Sequence, residues 1–312
     1  MNALLDVILP VFIVIGFGYA ATRAGLFSEN AIDGIMRFAQ NFAVPCLLFR
    51  SIATLDLTAA YDAGLMISFY AGAFCGFAAG FFGAWLIFGR PLTDSVAIGF
   101  ACLFSNTLLL GLPITERAYG PDALTGTFAI ISVHAPLLYG FGIAVMEWAR
   151  TRGRGLAFGA LGVQIGRAVF MQPLVIGISL GFVVNLSGLQ LPGTVWAAVD
   201  MMAQSAIPVA LFGLGGVLVR YRPEGDALTI AMVCLVSLIL HPGVSWLLGR
   251  FAFALDDAAL RSSVLTGAMA PGVNAYMFAH LYGVGKRVAA SSVLIATAVS
   301  IMTVWGWLHI LP

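Results

Sequence analysis

The chain has 312 residues, of which 61% are hydrophobic and 9% are charged, and its formal net charge at pH 7 is +1. With a mean hydropathy of +0.99, it lacks the polar residues that a water-soluble globular surface needs. The small net charge and the absence of a basic tail exclude an electrostatic basis for nucleic-acid binding. The sequence therefore predicts a polytopic membrane protein.

The membrane spans can be counted from the apolar segments, since a helix needs about 20 such residues to cross the hydrocarbon core. Ten segments are long enough, and they leave almost no sequence for a soluble domain. They cover residues 4–22, 31–52, 65–88, 95–118, 124–148, 168–186, 195–219, 227–253, 260–282 and 288–310. We therefore expect an all-α membrane protein with ten transmembrane helices.

The first span is expected to stay in the membrane as a helix. No Lys or Arg precedes it, and Arg23, the first basic residue, follows the apolar run, which is not the pattern of a removable signal peptide. The cysteines all lie inside apolar segments, which predicts buried thiols without disulfides. They are Cys46, Cys75, Cys102 and Cys234.

The loops indicate an orientation, because Lys and Arg accumulate on the cytoplasmic side. With the N-terminus outside, the inner loops contain Arg23, Arg90, Arg150, Arg152, Arg154, Arg167, Arg220, Arg222, Lys286 and Arg287. The outer loops then contain only Arg50, Arg117, Arg250 and Arg261. We expect an integral protein of a bacterial inner membrane with both termini outside, and with the Arg-rich hinge at 150–167 in the cytoplasm.

The two halves of the chain on either side of this hinge resemble each other when they are shifted by 163 positions. The shift superposes Pro10 on Pro173, Gly18 on Gly181, residues 41–49 on 204–212, and Asp94 on Asp257. The halves, 1–149 and 168–312, each contain five spans. Since five is odd, the second half must be inverted in the membrane, which is the architecture of secondary transporters.

The fourth span of each half contains helix breakers. Residues 103–116 read "LFSNTLLLGLPITE", with Gly111 and Pro113, and the matching span contains Pro271 and Gly272. Irregular backbone at membrane depth is tolerated only where protein or a watery cavity surrounds it. Two broken helices that cross near the midplane would direct their positive N-terminal ends at a common centre, where an anion fits. The alternative is a pair of proline kinks that only shape packing.

Several of these segments resemble the auxin efflux carrier family of membrane transporters, which includes plant PIN-type auxin carriers and bacterial malonate or malate carriers. The resemblance covers nearly the whole chain. The motifs are "FAVPCLLF" (42–49), "SNTLLLGLPI" (105–114), "QPLVIGISLGFV" (172–183), "AIPVALFGLGGVLV" (206–219), "APGVNAYMFAHLYG" (270–283) and "AASSVLIATAVSIMTV" (289–304).

The resemblance implies a fold similar to bile-acid sodium symporters and sodium–proton antiporters, with helices 4 and 9 crossed and broken. Spans 1, 2, 6 and 7 would form a scaffold, in which Pro45 and Pro208 bend equivalent helices. Spans 3–5 and 8–10 would form a mobile transport domain. Such a protein carries small carboxylates by an elevator-type mechanism, with Asn106 and Asn274 near the carboxylate.

We therefore expect a substrate site made of neutral donors, because no Lys or Arg can be placed near the midplane. Amide side chains, free backbone N–H groups and half-helix dipoles would hold the anion. The predicted site comprises Asn106, Leu109, Leu110, Gly111, Pro113, Pro271, Gly272, Val273 and Asn274.

Four ionisable residues are candidates for ion coupling. His134 and His241 lie inside apolar spans, where such side chains are costly and mark functional candidates; an imidazole with a pKa of about 6.5 can carry a proton. The alternative is a neutral imidazole that donates to a neighbouring carbonyl. Asp94 and Asp257, at the entries of the broken spans, can bind sodium or complement a helix N-terminus.

The expected function is secondary transport of small organic anions such as malonate, malate or auxin-like acids. The alternative within transport is a sodium-coupled symporter of bile-acid type. An enzyme is not expected, because the four histidines are scattered without an HExxH pattern and the spans contain no pair of aspartates. Expected partners are the substrate anion, a coupling proton or sodium ion and the lipid bilayer, with a homodimer left open; no cofactor or metal is expected.

Overall fold

The computed structural model describes residues 4–151, 158–224 and 226–312, in which every regular element is a helix. The first seven helices are α1 (Leu4–Arg23), α2 (29–53), α3 (Leu57–Ala60), α4 (Ala63–Ile87), α5 (Leu92–Leu103), α6 (107–119) and α7 (Pro121–Thr151). The remaining helices are α8 (Phe158–Phe170), α9 (Pro173–Ser187), α10 (Gly193–Leu218), α11 (Ala227–Ala252), α12 (Asp257–Gly267), α13 (Val273–Tyr282) and α14 (Lys286–Ile310).

Six of these helices, in the part of the chain that the structure describes, are long and apolar enough to cross a membrane. They are α1, α4, α7, α10, α11 and α14. The prediction of an all-helical membrane protein is therefore confirmed. The number of ten spans stays a prediction, because the other four predicted segments do not each form one long apolar helix.

These four segments differ from the rest for local reasons. Helix α2 contains four charged residues, and the spans predicted at 95–118 and 260–282 are each divided into two helices. The segment predicted at 168–186 becomes helix α9 only at Pro173, after an extended Gln172. Proline disfavours helical geometry in the residue before it, so a helix begins at the proline itself.

The hinge that the sequence places at 150–167 is partly helical. Helix α7 extends to Thr151, and α8 occupies Phe158–Phe170. Residues 152–157, with most of the arginine-rich stretch, lie outside the described residues. The apolar residues of 158–170 lie at helical spacing, which explains why a segment assigned to a loop by its arginines forms a helix.

Helices α1, α2, α9 and α10 pack together along close backbone contacts. Helix α1 lies on α10, and α2 lies on both α9 and α10. Gly18 faces the carbonyl of Phe212, and Gly215 faces the carbonyl of Ile15, so that neither position has room for a side chain. Small residues in membrane helices permit this approach and the dispersion contacts that come with it.

Helices α4, α5, α7 and α11–α14 form a second packed group. Helix α4 contacts α5, α11 and α12, while α14 contacts α11 and α13. In its core, the rings of Phe100 and Phe278 stack with centroids 4.0 Å apart. Gly80 of α4 faces the Cys102 side chain of α5. This cysteine and the other three are free thiols, as predicted, but only Cys102 and Cys234 are buried; Cys46 is partly buried and Cys75 is exposed, so the prediction of burial is wrong for these two.

Ion pairs lie near the ends of the long helices. Arg220 at the end of α10 contacts Asp33 of α2, with Nη1 and Oδ1 2.8 Å apart. Toward the other end of the same two helices, Arg50 Nε lies 2.7 Å from Asp200 Oδ1. Charged groups are thus kept at the edges of the apolar helices, where desolvation costs least.

The contact between α1 and α10 generates the first testable prediction. Gly18→Ala would place a methyl group against the Phe212 carbonyl, and overpacking of this kind costs about 1–3 kcal/mol. A fall in the thermal unfolding temperature of the detergent-purified protein measures this effect. Gly16→Ala, in the same helix, is the matched control, because no atom lies within 4 Å of its Cβ position. Equal destabilisation by both changes would contradict the packing described here.

Candidate functional site

The two broken spans are hydrogen-bonded to each other at their breaks. The Asn106 N–H donates to the Ala270 carbonyl (2.8 Å), and the Gly272 N–H donates to the Phe104 carbonyl (3.0 Å). Ser105 and Pro271 thereby form an isolated antiparallel bridge between the gaps that separate α5 from α6 and α12 from α13. Each break supplies backbone partners that the other break needs, which satisfies the groups that cannot bond within a helix.

The place where the two breaks meet, at residues 104–106 and 270–272, is called the crossover below. Asn106 has a structural role there. Its side-chain Oδ1 accepts a hydrogen bond from the Leu109 N–H (3.3 Å), so that it caps the start of α6. The first turn of α6, Thr107–Gly111, is a wide π-helical turn. Pro113 comes two residues after this turn; a proline opposes the regular bonding of the preceding turn, and the wider turn accommodates it.

Helix α13 begins differently. Its N-cap is Gly272, in extended conformation, and no side chain caps the first turn that starts at Val273. The uncapped N–H groups and the helix dipole give this end a partial positive charge. The N-termini of α6 and α13 thus start side by side at the crossover.

A cavity of about 280 Å³ lies against the crossover. It is bounded by the crossover, α7 and α13 on one side, and by α2, α9 and α10 on the other. In the part of the chain that the structure describes, no Asp, Glu, Lys or Arg lines it. Its polar lining residues are Gln40, Asn41, Ser105, Asn106, Thr107, His134, Tyr139, Gln172 and Asn274. The arrangement can hold a small polar ligand with neutral donors and helix N-termini.

The predicted substrate residues are divided between this cavity and the surrounding structure. The cavity is lined by Asn106, Leu109, Gly272, Val273 and Asn274. The other four predicted residues do not line it. Leu110 is fully buried, Gly111 packs on Met269 and Thr266, Pro113 lines a second cavity, and Pro271 forms the bridge to Ser105.

Several cavity residues were missed by the sequence reasoning. Gln40 and Asn41 lie in the middle of the predicted span 31–52, Gln172 lies near the start of the span 168–186, and Tyr139 comes from α7. The internal repeat could have identified Asn41 as a candidate cavity residue, since Asn41 and Gln204 occupy equivalent positions four residues before the paired prolines. Gln204 lines the second cavity.

The second cavity, of about 850 Å³, lies toward the other end of α2. Its charged lining residues include Arg50, Glu116, Arg117 and Asp200. An apolar cluster lies between the two cavities. Its buried residues are Ala43, Val44, Leu48, Ile52, Leu112, Leu124, Ile131, Ile178 and Ala206. Pro208, one of the two predicted bend residues, lies within α10 and lines the second cavity, while Pro45 follows a wide turn of α2.

The two histidines within apolar helices lie near the crossover. His134 lines the cavity and is 3% exposed, and its ring centroid lies 4.6 Å from that of Phe104. His241 is fully buried, and the ring of Phe69 lies between the two imidazoles, 5.6 and 5.1 Å from their centroids. Backbone groups of Ser105 and Phe69 approach the rings. No ring nitrogen has a hydrogen-bond partner of normal geometry.

The two aspartates at repeat-related positions lie away from the cavity. Asp94 is in the first turn of α5, and Asp257 is the first residue of α12. Asp256, its neighbour, caps α12 by accepting from the Ala259 N–H (2.8 Å). Acidic side chains at these places complement the positive helix ends. The described residues contain no group of three or more His, Cys, Asp or Glu side chains that could hold a metal ion.

Comparison with known proteins identifies relatives over the full length of the chain. A family model described as membrane transport protein matches residues 3–155 and 157–308. A putative malonate transporter of Rhizobium meliloti is 23% identical over 311 residues, which cover 100% of this chain and 97% of that protein. The uncharacterized transporter YfdV of Escherichia coli is 24% identical over 307 residues, with 97% and 96% covered.

The plant carriers are more distant. Auxin efflux carrier component 5 of Arabidopsis thaliana is 20% identical over 348 residues, which cover 95% of this chain and 93% of that protein. The family model, by contrast, accounts for nearly every residue, including both breaks and the helices on either side of the cavity. The chain therefore belongs to the family of membrane transport proteins that includes the auxin efflux carriers.

Proposed function

We propose that this protein is a secondary transporter of small organic anions, of the carboxylate class that includes malonate, malate and auxin-like acids. The observation that carries the proposal is the cavity at the crossing of two broken helices, where amide side chains meet two helix N-termini. The names of two relatives, a putative malonate transporter and an auxin efflux carrier, favour the same class of substrate.

The chemistry of the cavity supports an anionic substrate. Asn274, Gln40 and Asn41 contribute amide hydrogen-bond donors to the lining, and the dipole of α13 adds a partial positive charge at its uncapped start. A volume of about 280 Å³ suits a molecule with few carbon atoms rather than a drug-sized ligand. The apolar lining excludes water around the bound anion, which strengthens each of these interactions.

We further propose that the chain forms ten spans in two inverted five-span repeats. In support, the order long helix, broken pair, long helix occurs as α4, α5–α6, α7 and again as α11, α12–α13, α14. The equivalent residues Asn41 and Gln204 also line different cavities, as expected for repeats that enter the membrane in opposite directions.

The proposed mechanism is an elevator motion of α4–α7 and α11–α14 against a scaffold of α1, α2, α9 and α10. The close glycine contacts among the helices of the proposed scaffold would keep these helices together as one rigid unit during the motion. The apolar cluster around Leu48, Leu112 and Ile131 separates the two cavities. A shift of the crossover toward the second cavity would close one access route and open the other.

The amides at the crossover generate the second prediction. Hydrogen bonds to a charged acceptor contribute about 1.5–3 kcal/mol each, so Asn106→Ala and Asn274→Ala should each weaken malonate binding roughly ten- to a hundredfold. Isothermal titration calorimetry of the purified variants measures the affinity. Asn185→Ala is the control, because its amide donates to the Ile52 and Leu55 carbonyls outside the cavity.

A further variant separates binding from capping at Asn106. Asp caps a helix as well as Asn does, so Asn106→Asp should keep the melting temperature but should lose malonate binding through charge repulsion. If Asn106→Ala lowers only the melting temperature and Asn106→Asp binds malonate normally, the amide serves the helix alone. The site assignment would then be wrong.

The third prediction concerns orientation, which we propose with both termini outside a bacterial inner membrane. Single cysteines at Pro223 and Asp56, in a background without native cysteines, should react with a membrane-impermeant maleimide from opposite sides. Pro223→Cys should react only from the cytoplasm, and Asp56→Cys only from outside, because of the distribution of Lys and Arg. The reverse accessibility in intact cells and inside-out vesicles would overturn the orientation and leave the repeat untouched.

A further inference from the structure

The cavity presents an electrostatic problem for an anionic ligand. Burying a carboxylate in a medium of low dielectric constant is costly unless a positive charge or several hydrogen bonds compensate it. Among the residues that the structure describes, no Lys or Arg lines the cavity, and its only titratable lining residues are His134 and Tyr139. Tyrosine titrates to an anion, so His134 is the lining side chain that can become positively charged.

The surroundings of His134 leave its imidazole available for this role. Among the described residues, neither ring nitrogen has a hydrogen-bond partner of normal geometry, and the ring packs edge-to-face on Phe104, next to Ser105 and Asn106 at the crossover. Two phenols nearby are engaged elsewhere. Tyr70 donates to the Ile130 carbonyl (2.9 Å), and the Tyr61 hydroxyl is hydrogen-bonded to Ser132 Oγ (2.6 Å).

The remaining titratable groups around the ring do not provide a permanent counter-charge. Tyr70 lies with its ring centroid 6.4 Å from that of His134, and Tyr139 shares the contact with Phe104. His241 lies beyond Phe69, away from the cavity lining. Because His241 does not line the cavity, His134 is the histidine that can be paired directly with a ligand there. A positive charge on His241 would also repel a positive charge on His134.

We infer that His134 takes up a proton when a carboxylate enters the cavity, so that substrate and proton bind together. This inference deepens the proposed function and depends on it. The bound carboxylate stabilises the imidazolium, and the imidazolium in turn stabilises the carboxylate; by linkage each raises the affinity of the site for the other by the same factor. The proton comes from solvent, and the ligand then leaves with it on the other side.

Proton uptake on binding can be counted by calorimetry. The purified wild-type protein is titrated with malonate at pH 8, where malonate is fully ionised, in two buffers with different heats of ionisation. The dependence of the binding enthalpy on the buffer should give close to one proton taken up per malonate. Above neutral pH, the affinity should also fall toward tenfold per pH unit, as coupling to one proton requires.

The histidine variants assign the proton to one residue. His134→Gln should bind malonate more weakly, with no proton uptake and with an affinity that no longer varies between pH 7 and pH 8.5. His280→Gln and His309→Gln are the matched controls, since both side chains are exposed and lie outside the cavity; they should behave as the wild type. His241→Gln should also keep the proton uptake.

The outcomes separate this inference from the proposed function. Malonate binding without proton uptake in the wild type, or unchanged uptake in His134→Gln, overturns the inference and leaves transport intact. Failure of the wild type to bind malonate or any other small carboxylate contradicts the proposed function itself. If His134→Gln does not fold, the wild-type proton count still decides, because a count of zero overturns the inference.

Discussion

The structure depends on the pairing of two helix breaks. Backbone groups that lie unpaired in a hydrocarbon environment cost several kcal/mol each, so one break in this chain could not persist alone at membrane depth. The hydrogen bonds from the Asn106 N–H to the Ala270 carbonyl and from the Gly272 N–H to the Phe104 carbonyl pair backbone groups of both breaks. The same bonds bring the starts of α6 and α13 together, which creates the cavity as a by-product of satisfying the backbone.

The character of the cavity follows from the same constraint. Polar groups that converge at a crossover are backbone N–H groups, caps and amides, and all of them are neutral. Under the proposed function, a site of this kind would bind an anion through partial charges and would release it because no described lining residue is a fixed cation. The imidazole of His134, next to Phe104, is the described lining group that can become positively charged, which is the basis of the inferred proton uptake.

The helices around the crossover are packed in two different ways. Between α1 and α10, glycine faces backbone carbonyl, and the contact admits no extra atom. Between the crossover and α2 the contact consists of branched aliphatic side chains such as Leu48, Leu112 and Ile131. Aliphatic surfaces can slide against each other without breaking hydrogen bonds, whereas glycine-to-backbone contacts keep one register. In the proposed mechanism, this difference favours motion at the crossover and rigidity in the contact between α1 and α10.

The sequence placed the first break at Gly111 and Pro113, but both residues are helical and the gap between α5 and α6 lies at 104–106. By itself the sequence determined the membrane setting, the all-helical class and the break at Pro271 and Gly272. These follow from properties of single residues, since proline lacks an N–H wherever it lies and apolar segments avoid water in any fold. Asn106 and Asn274 were selected because the resemblance to the auxin efflux carrier family implies an Asn at each break.

Only the tertiary structure decided which other residues line the cavity together with Asn106 and Asn274. Leu109 lines the cavity and Leu110 faces the core, because adjacent helical residues point about 100° apart. Gln40 and Gln172, far apart in sequence, reach the same cavity because α2 packs on α9. The proximity of His134 to the crossover likewise depends on how α7 packs against α5 and α6, and no local pattern contains that information.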